Sequence, residues 1–302
     1  MYTTQQFAAF LERRNVAVLD VTRGASPDCR RLLVGDVESG LLTHAVAVAY
    51  RVGTNTGVDT EESVLSGLPG LLCPELLATV PKVVERVEVA TAQTGLVVRA
   101  VRGLGQPDGG ANQERTPVML AAIDTWLAAV WRDTAGESAP TDLGDRATTT
   151  VMERYAGSPR LAPALASIGR ARRNLSEFDV RRTLTHGCLC RRHTRTDHGV
   201  LIGVDDWGLG ARAGDPLRDL GRVAVGVSAG RLPEVVAGRT SYAGAVRDFV
   251  ASGLERNAVP RQLWRAVLVL TQLELAVAAL DRGEPDGIAL LITAVRALPA
   301  KS

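Results

Sequence analysis

The stretch that decides the fold begins His186-Gly187-Cys188-Leu189-Cys190-Arg191-Arg192-His193. It continues with Asp205-Asp206-Trp207-Gly208, then Gly214-Asp215-Pro216 and Asp219-Leu220. Five of the eight cysteine and histidine residues of the chain lie between His186 and His198. Side chains that can carry chemistry are therefore concentrated here, at spacings typical of a functional motif rather than of a plain core segment.

These motifs resemble, in order and spacing, the active-site block of the aminoglycoside-phosphotransferase-like kinases. That family writes the block as HGDLxxxN, then a variable strand, then IDW, then GDPxxDL. Asp206 follows His193 by thirteen residues, a usual family spacing. The resemblance implies an α+β fold of the bilobal protein-kinase-like kind, with a small β-rich N-lobe and a larger, mostly helical C-lobe.

Two positions depart from the family pattern in residues that matter for catalysis. Cys188 stands where the family has its catalytic Asp, and His193 stands where it has a metal-binding Asn. A thiol is mostly neutral at pH 7 and is a poor substitute for a carboxylate that orients the acceptor hydroxyl. Losing a general base typically costs about 10²–10⁴-fold in rate, which leaves a slow enzyme as an alternative. A thiolate activated by Arg191 and Arg192 is a further alternative.

The resemblance implies roles for the other matching residues. Asp206 matches the Asp that holds the metal, and a carboxylate oxygen suits Mg²⁺. His193 would weaken the second metal position, because neutral imidazole prefers Zn²⁺ or Mn²⁺ to Mg²⁺. His186 and Asp219 match residues that brace the catalytic loop. Asp205 lies where the family has an apolar residue, and regular strand alternation would turn it away from Asp206, toward solvent or a partner. A role as ligand of a second metal is the alternative for Asp205.

Kinase-fold enzymes hold the nucleotide phosphates with a strand Lys paired to a helix Glu. The only cation in the corresponding strand is Arg51. Glu61 is the favoured helix residue, because apolar residues fall three, four and seven positions later on the same helix face, at Val64, Leu65 and Leu68. We therefore predict an Arg51–Glu61 pair at the cofactor position. The alternative is an exposed arginine at a strand end and a solvated glutamate.

Patterns along the rest of the chain predict a β-rich part followed by a helical part. Strands are predicted at Val16–Thr22, Arg31–Val34, Leu41–Val52, Val83–Val89 and Gly95–Val101, with one helix from about Asp59 to Leu68. Helices are predicted at 118–132, 146–156, 160–174, 216–227, 241–255, 260–282 and 286–298. We predict an N-lobe at 1–103, a linker at 104–116 and a helical C-lobe at 117–302 that carries the catalytic-loop-like segment.

The composition of the chain indicates which partners and which cellular compartment to expect. The net charge of this 302-residue chain is +2, so we expect no nucleic-acid or membrane partner. The most apolar stretch, Leu263–Leu280, is interrupted by Arg265, Gln272 and Glu274, which favours a buried helix over a membrane span. Four cysteines give no disulfide framework and the first residues contain no apolar signal core, so we expect a cytoplasmic location.

A zinc site is a competing interpretation of the same stretch. Cys188, Cys190, His193 and His198 supply four suitable ligands, although structural zinc pairs normally run C-x₂₋₄-C.

Two functional hypotheses follow. The first is a degenerate, pseudokinase-like protein that binds a peptide or partner protein, with weak or absent binding of ATP and Mg²⁺. The second is an active ATP- and Mg²⁺-dependent phosphotransferase that modifies a hydroxyl of a small molecule or a peptide Ser/Thr in a bacterial natural-product pathway. Under either hypothesis the polar segment Thr194–Thr196, where the family has apolar residues, is displaced or faces a groove for a polar partner.

Overall fold

The chain forms two compact units in a computed structural model that describes residues 4–24, 29–49, 56–90, 93–101, 116–228 and 230–298. The first unit contains residues 1–110, 186–188 and 192–212, and the second contains 111–185, 189–191 and 213–302. This grouping puts most of the motif-bearing segment with the β-rich unit, whereas the sequence suggested the helical one. The predicted linker, 104–116, lies almost wholly outside the described residues and stays a prediction.

The first unit is built around an antiparallel five-stranded sheet. Its elements begin with α1 (Gln5–Arg13), β1 (Val16–Arg23), β2 (Cys29–Asp36), β3 (Leu42–Ala49), α2 (Thr56–Gly67), α3 (Pro74–Leu77), β4 (Val83–Ala90) and β5 (Gln93–Arg99). The strand order is β1-β2-β3-β5-β4. All five predicted strands and the predicted helix α2 are present. The prediction of a single helix was wrong, because α1 and the short α3 also form.

Alternation along β3 gives the two faces of the sheet different characters. Val46 and Val48 pack with Phe7 and Phe10 of α1 in one hydrophobic cluster. The alternate residues of β3 point to the other face of the sheet, where Ala45 and Ala47 are buried. Small side chains on that face leave room for a long side chain from the neighbouring strand.

The remaining elements follow in chain order. They are α4 (Thr116–Thr134), β6 (Ser138–Pro140), α5 (Asp145–Tyr155), α6 (Ala162–Ser176), β7 (Asp179–Arg181), β8 (Thr183–Thr185), β9 (Thr194–Asp197), β10 (Val200–Val204), β11 (Ala211–Gly214), α7 (Pro216–Ser228), α8 (Leu232–Val236), α9 (Ala243–Arg256), α10 (Trp264–Asp281) and α11 (Asp286–Arg296). The seven helices predicted after residue 116 correspond to α4, α5, α6, α7, α9, α10 and α11. Strands β6 to β11 and helix α8 have three to five residues each, which is too short for periodicity to reveal.

Helix α10 forms the centre of the second unit and packs against α5, α6, α7, α9 and α11. Among the described residues, the helical stretch Arg261–Asp281 is long and apolar enough to cross a membrane, with a mean hydropathy of 1.6. Because 56% of its most apolar window is buried inside the protein, the stretch has the character of a core helix, as its interrupting polar residues predicted.

Asp215 joins the start of α7 to the chain before α5. Its carboxylate accepts hydrogen bonds from the Thr141 hydroxyl at 2.5 Å, the Asp142 N–H at 3.0 Å and the Leu217 N–H at 2.9 Å. The Asp215 residue is fully buried. The last of these bonds caps the first turn of α7, so this Asp fixes the helix that follows the Gly-Asp-Pro motif.

We predict that Asp215→Ala lowers the free energy of unfolding by about 3 kcal/mol, because it leaves a hydroxyl and two N–H groups without their acceptor in a buried place. Urea denaturation followed by circular dichroism measures the change. The matched control is Glu153→Ala on the exposed face of α5, where the change should stay within about 0.5 kcal/mol. Equal losses in the two variants would contradict the assigned role of Asp215.

Candidate functional site

The buried guanidinium of Arg31 lies between two carboxylates in the first unit. Arg31 comes from β2, where it pairs in register with Ala47 of β3. Its Nη2 donates to Glu61 Oε1 at 2.8 Å, and its Nη1 donates to Glu61 Oε2 at 3.1 Å. The same Nη1 lies 3.0 Å from Asp206 Oδ1. We call Arg31, Glu61 and Asp206 the buried triad, since each is at most 4% exposed.

Helix α2 presents Glu61 to this site on its buried face. Glu61, Val64, Leu65 and Leu68 are all buried, as the spacing of the apolar residues predicted. Oε1 of Glu61 also accepts the Trp207 N–H at 3.3 Å. Glu61 therefore connects α2 both to β2 and to the segment that follows β10.

The guanidinium remains cationic in this environment. Burial opposes its charge, yet the pKa of Arg31 rises above its ordinary value because the Glu61 and Asp206 carboxylates favour the charged form. Burial raises the pKa of Glu61, and the bidentate contact with Arg31 opposes that rise. Two parallel N–H···O bonds are the geometry of an ionised arginine–carboxylate pair. One positive charge is thus shared by two buried carboxylates.

The predicted partner of Glu61, Arg51, lies outside the described residues. In the structure the guanidinium bound to Glu61 is that of Arg31, which the sequence did not single out. Arg31 belongs to no recognisable motif. It lies beside Glu61 only because β2 pairs with β3 in the sheet. A signal was nevertheless present in the alternation Ala45-Val46-Ala47-Val48, because a stripe of small residues beside a strand arginine leaves space for it.

Asp205 and Asp206 are both buried, at 5% and 4% exposure. Asp205 was expected to face solvent or a partner, and the first of these expectations was therefore wrong. Regular alternation ends with β10 at Val204, and Asp206 adopts a left-handed backbone conformation with φ of 64°. Asp tolerates this region better than most residues. The turn brings both carboxylates close to His193, which lies 3.5 Å from Asp205 Oδ1 and 4.0 Å from Asp206 Oδ2 through its Nδ1 atom.

His193 lies between an arginine and a carboxylate. Arg192 Nε donates to His193 Nε2 at 2.9 Å, and Nδ1 of the same ring faces Asp205. Although burial alone would raise it, the pKa of Asp205 lies below its ordinary value because His193 and Arg31 stabilise the carboxylate.

His186 links the turn at the start of the motif to the backbone of Asp205. Its Nε2 lies 2.7 Å from the Asp205 carbonyl oxygen, and its Nδ1 accepts the Cys188 N–H at 3.3 Å. Its ring lies 4.9 Å from that of Trp207, centroid to centroid. One nitrogen donates and the other accepts, so the imidazole is neutral, and burial lowers the pKa of His186 to about 4.

The turn between His186 and Cys188 requires glycine. Gly187 has φ of 76°, and a Cβ at this position would collide with the backbone carbonyl of Leu209. The Cys188 side chain is half-buried. Asp219, predicted to support the same loop, is buried in the first turn of α7 in the second unit. These roles for Cys188 and Asp219 stay predictions.

The four proposed zinc ligands do not assemble. Among the residues that the structure describes, no three His, Cys, Asp or Glu side chains are grouped so that they could hold a metal ion. His198 lies at the tip of the β9–β10 hairpin, with φ of 45° and a side chain that is 96% exposed. With Gly199 at φ of 79°, it forms a tight hairpin turn of the kind that requires two positive φ angles.

Solved structures with a similar fold are aminoglycoside phosphotransferases. The apo form of a thermostable mutant of APH(4)-Ia matches with a TM-score of 0.61 and 15% identity, over 95% of each chain. The gentamicin complex of APH(2")-IIa matches with a TM-score of 0.57 and 13% identity, over 100% of this chain and 98% of the other. The GDP and kanamycin complex of APH(2")-IIia matches with a TM-score of 0.59 and 14% identity, over 96% of each chain.

This chain has the aminoglycoside-phosphotransferase fold. The α+β kinase-like fold expected from the motif is thereby confirmed over nearly the full length. Neither a protein-family model nor a curated protein matches the sequence. At 13–15% identity the likeness establishes the fold, and the chemistry must be argued from the residues of the site.

We predict that Arg31→Met destabilises the protein by about 3–5 kcal/mol, because it leaves two buried carboxylates without their cation. Arg30→Met is the matched control, since Arg30 is the preceding residue of β2, is only half-buried and contacts Gln93 at 3.3 Å. Chemical denaturation of both variants measures the difference. If Arg31→Met unfolds at the same denaturant concentration as Arg30→Met, the buried triad does not hold the site together.

His186 predicts a pH dependence of stability. Its pKa is about 4 in the folded protein against an ordinary 6.5, so between these values the unfolded chain binds more protons. The contribution of His186 to the free energy of unfolding is therefore fully present above pH 6.5. It is lost as the pH falls toward 4, by up to about 3 kcal/mol. Unfolding free energies measured across this range should show the loss. His186→Gln should lack this component, and identical pH profiles for the two proteins would refute it.

Proposed function

We propose that this protein is a degenerate, pseudokinase-like member of the phosphotransferase fold. It acts by binding a peptide or a partner protein, and it binds nucleotide and Mg²⁺ weakly or not at all. The contact of Arg31 with both Glu61 and Asp206 is the observation that carries this proposal.

A metal ion on Asp206 would meet a cation already in place. Mg²⁺ binds carboxylate oxygens at about 2.0–2.1 Å, and Asp206 Oδ1 lies 3.0 Å from the Arg31 guanidinium. Charges of +2 and +1 about 4 Å apart repel by roughly 8 kcal/mol at an effective dielectric constant of 20. Both ring nitrogens of His193 already face other groups, since Nε2 accepts from Arg192 at 2.9 Å and Nδ1 lies 3.5 Å from Asp205 Oδ1. This donor set does not fit Mg²⁺.

One residue with a direct part in phosphoryl transfer is also replaced. Transfer needs a metal, a cation at the phosphates and a carboxylate at the acceptor hydroxyl. Cys188 supplies sulfur where that carboxylate belongs. The fold around it is kept, since Gly187 and His186 hold the turn in shape. Retention of the loop without its carboxylate supports a binding role for the fold.

The outer edge of β9 is our proposed place for an extended peptide. Within the described chain β9 pairs only with β10, so a peptide could add a strand there through backbone hydrogen bonds. Thr196 and Asp197 are exposed along this edge. Their side chains would make polar contacts with the peptide, in a segment where the family has apolar residues.

We also propose a cytoplasmic location. Its support is chemical, since the structure has all four cysteines as thiols and thiols persist in a reducing compartment.

A thermal-shift titration with ATP and Mg²⁺ tests the proposal. A ligand that binds only the folded state raises the melting midpoint by mass action, so we expect no rise for this protein at millimolar MgATP. An active aminoglycoside phosphotransferase serves as the positive control. The double variant C188D/H193N restores the family residues but keeps Arg31, and it should also show no rise.

A saturable rise for the natural protein would contradict the proposal. It would favour the second hypothesis, an active phosphotransferase for a small-molecule hydroxyl or a peptide Ser/Thr. A rise seen only in the double variant would show that Cys188 and His193, rather than Arg31, exclude the nucleotide.

A further inference from the structure

The hydrogen bonds around the β9–β10 hairpin define which backbone groups of β9 point to its outer edge. The Asp205 N–H donates to the His193 C=O at 3.0 Å, so His193 faces the β10 side. The next pair in register is Thr194 with Val204. The Val204 N–H donates away from β9, to the Thr79 C=O at 2.7 Å. Thr194 and Val204 therefore form a non-hydrogen-bonded pair, and the N–H and C=O groups of Thr194 point to the outer edge.

The side chain of Arg195 covers part of this edge. Its Nη1 donates to the Thr194 C=O at 2.9 Å and to the Arg192 C=O at 2.7 Å. Its Nε is inaccessible to solvent and has no hydrogen-bond partner among the described residues. Charged side chains commonly protect the open edge of a sheet. Here the guanidinium lies on the carbonyl that an incoming strand would use.

The charge beside this edge is positive. Arg192 and Arg195 both lie there, and neither guanidinium has an ion pair with a carboxylate of the described residues. The one acidic residue of β9, Asp197, lies 3.6 Å from the exposed His198 through Oδ1. An anionic partner would therefore meet two guanidinium groups that lack a carboxylate partner.

The contact of Arg195 with the edge decides which peptides can add to β9. A peptide N–H that takes the Thr194 carbonyl displaces the guanidinium, so a charge-assisted hydrogen bond breaks and a neutral one forms. Charge-assisted hydrogen bonds are roughly twice as strong as neutral ones. A neutral peptide therefore loses stabilisation at this point. A peptide carboxylate restores it, because it gives the released guanidinium a new partner.

We propose that the outer edge of β9 binds an extended acidic peptide. Its backbone adds as a third strand to the β9–β10 hairpin, and one of its Asp or Glu side chains takes the guanidinium of Arg195. Thr194 and Thr196 supply the backbone groups, because alternate residues of a strand direct them to the same edge. This inference rests on the peptide-binding function proposed above and specifies the class of peptide.

Fluorescence anisotropy at low ionic strength tests the inference, with labelled acetyl-TETETET-amide and its isosteric counterpart acetyl-TQTQTQT-amide as probes. We expect the acidic peptide to bind at least about tenfold tighter, because it alone offers a charged acceptor. Arg195→Met should remove most of this preference. The variant should also bind the glutamine peptide more tightly than the natural protein does, because the Thr194 carbonyl is no longer covered. A loss of charge alone would not produce that gain.

Arg13→Met is the matched control. Arg13 is an arginine of α1 in the same unit, and its side chain is 63% exposed. This variant should keep the preference of the natural protein for the acidic peptide.

Thr196→Pro locates the peptide on the hairpin. It removes an N–H that points to the outer edge, so it should block strand addition while the β9–β10 pairing is kept. A melting midpoint near that of the natural protein checks that the hairpin still forms. Undiminished binding of the acidic peptide to this variant would overturn the inference.

The remaining outcomes separate this inference from the function on which it rests. Equal affinity of the two peptides for the natural protein would overturn the inference and leave peptide binding intact, as would an equal loss of preference in Arg13→Met and Arg195→Met. Absence of binding of either peptide up to about 1 mM would contradict the proposed function and the inference together. A dimeric natural protein that Thr196→Pro makes monomeric would also overturn the inference, because a second copy of the chain would then occupy the edge.

Discussion

A single buried positive charge holds the candidate site together. The Arg31 guanidinium contacts Glu61 and Asp206 within 3.1 Å, and all three residues are almost fully buried. Charges that leave water are tolerated only when they are paired and hydrogen-bonded. This constraint ties β2 to α2 and to the turn after β10, so none of the three segments can move without exposing an unpaired charge to an apolar interior.

The same charge explains why the departures from the family pattern occur together. A kinase-like site normally receives its positive charge from a metal bound with the nucleotide. Here the chain supplies its own cation, and His193 Nδ1 lies 3.5 Å from Asp205 Oδ1 beside it. Under the proposed binding function, the replacement of the family's carboxylate by Cys188 removes little that the protein would use. The same proposal assigns the fold the role of a rigid frame.

The sequence predicted those parts of the fold and the site in which a local pattern of residues decides the structure. The face of α2 that buries Glu61 followed from helical spacing, and the kinase-like fold followed from the motif. Arg31 was not predictable from any motif, because its partners are 30 and 175 residues away in sequence and meet only through sheet pairing. Asp205 was misplaced because one left-handed residue ends the alternation on which the expectation relied.

The most direct measurement is the anomalous scattering of manganese in crystals of the protein grown with Mn²⁺ and ADP. Mn²⁺ takes carboxylate oxygens as Mg²⁺ does and is visible at low occupancy. The account predicts no manganese peak at Asp206 and an Arg31 guanidinium that still lies about 3.0 Å from Asp206. A manganese ion bound to Asp206, with Arg31 turned away from it, would contradict the account.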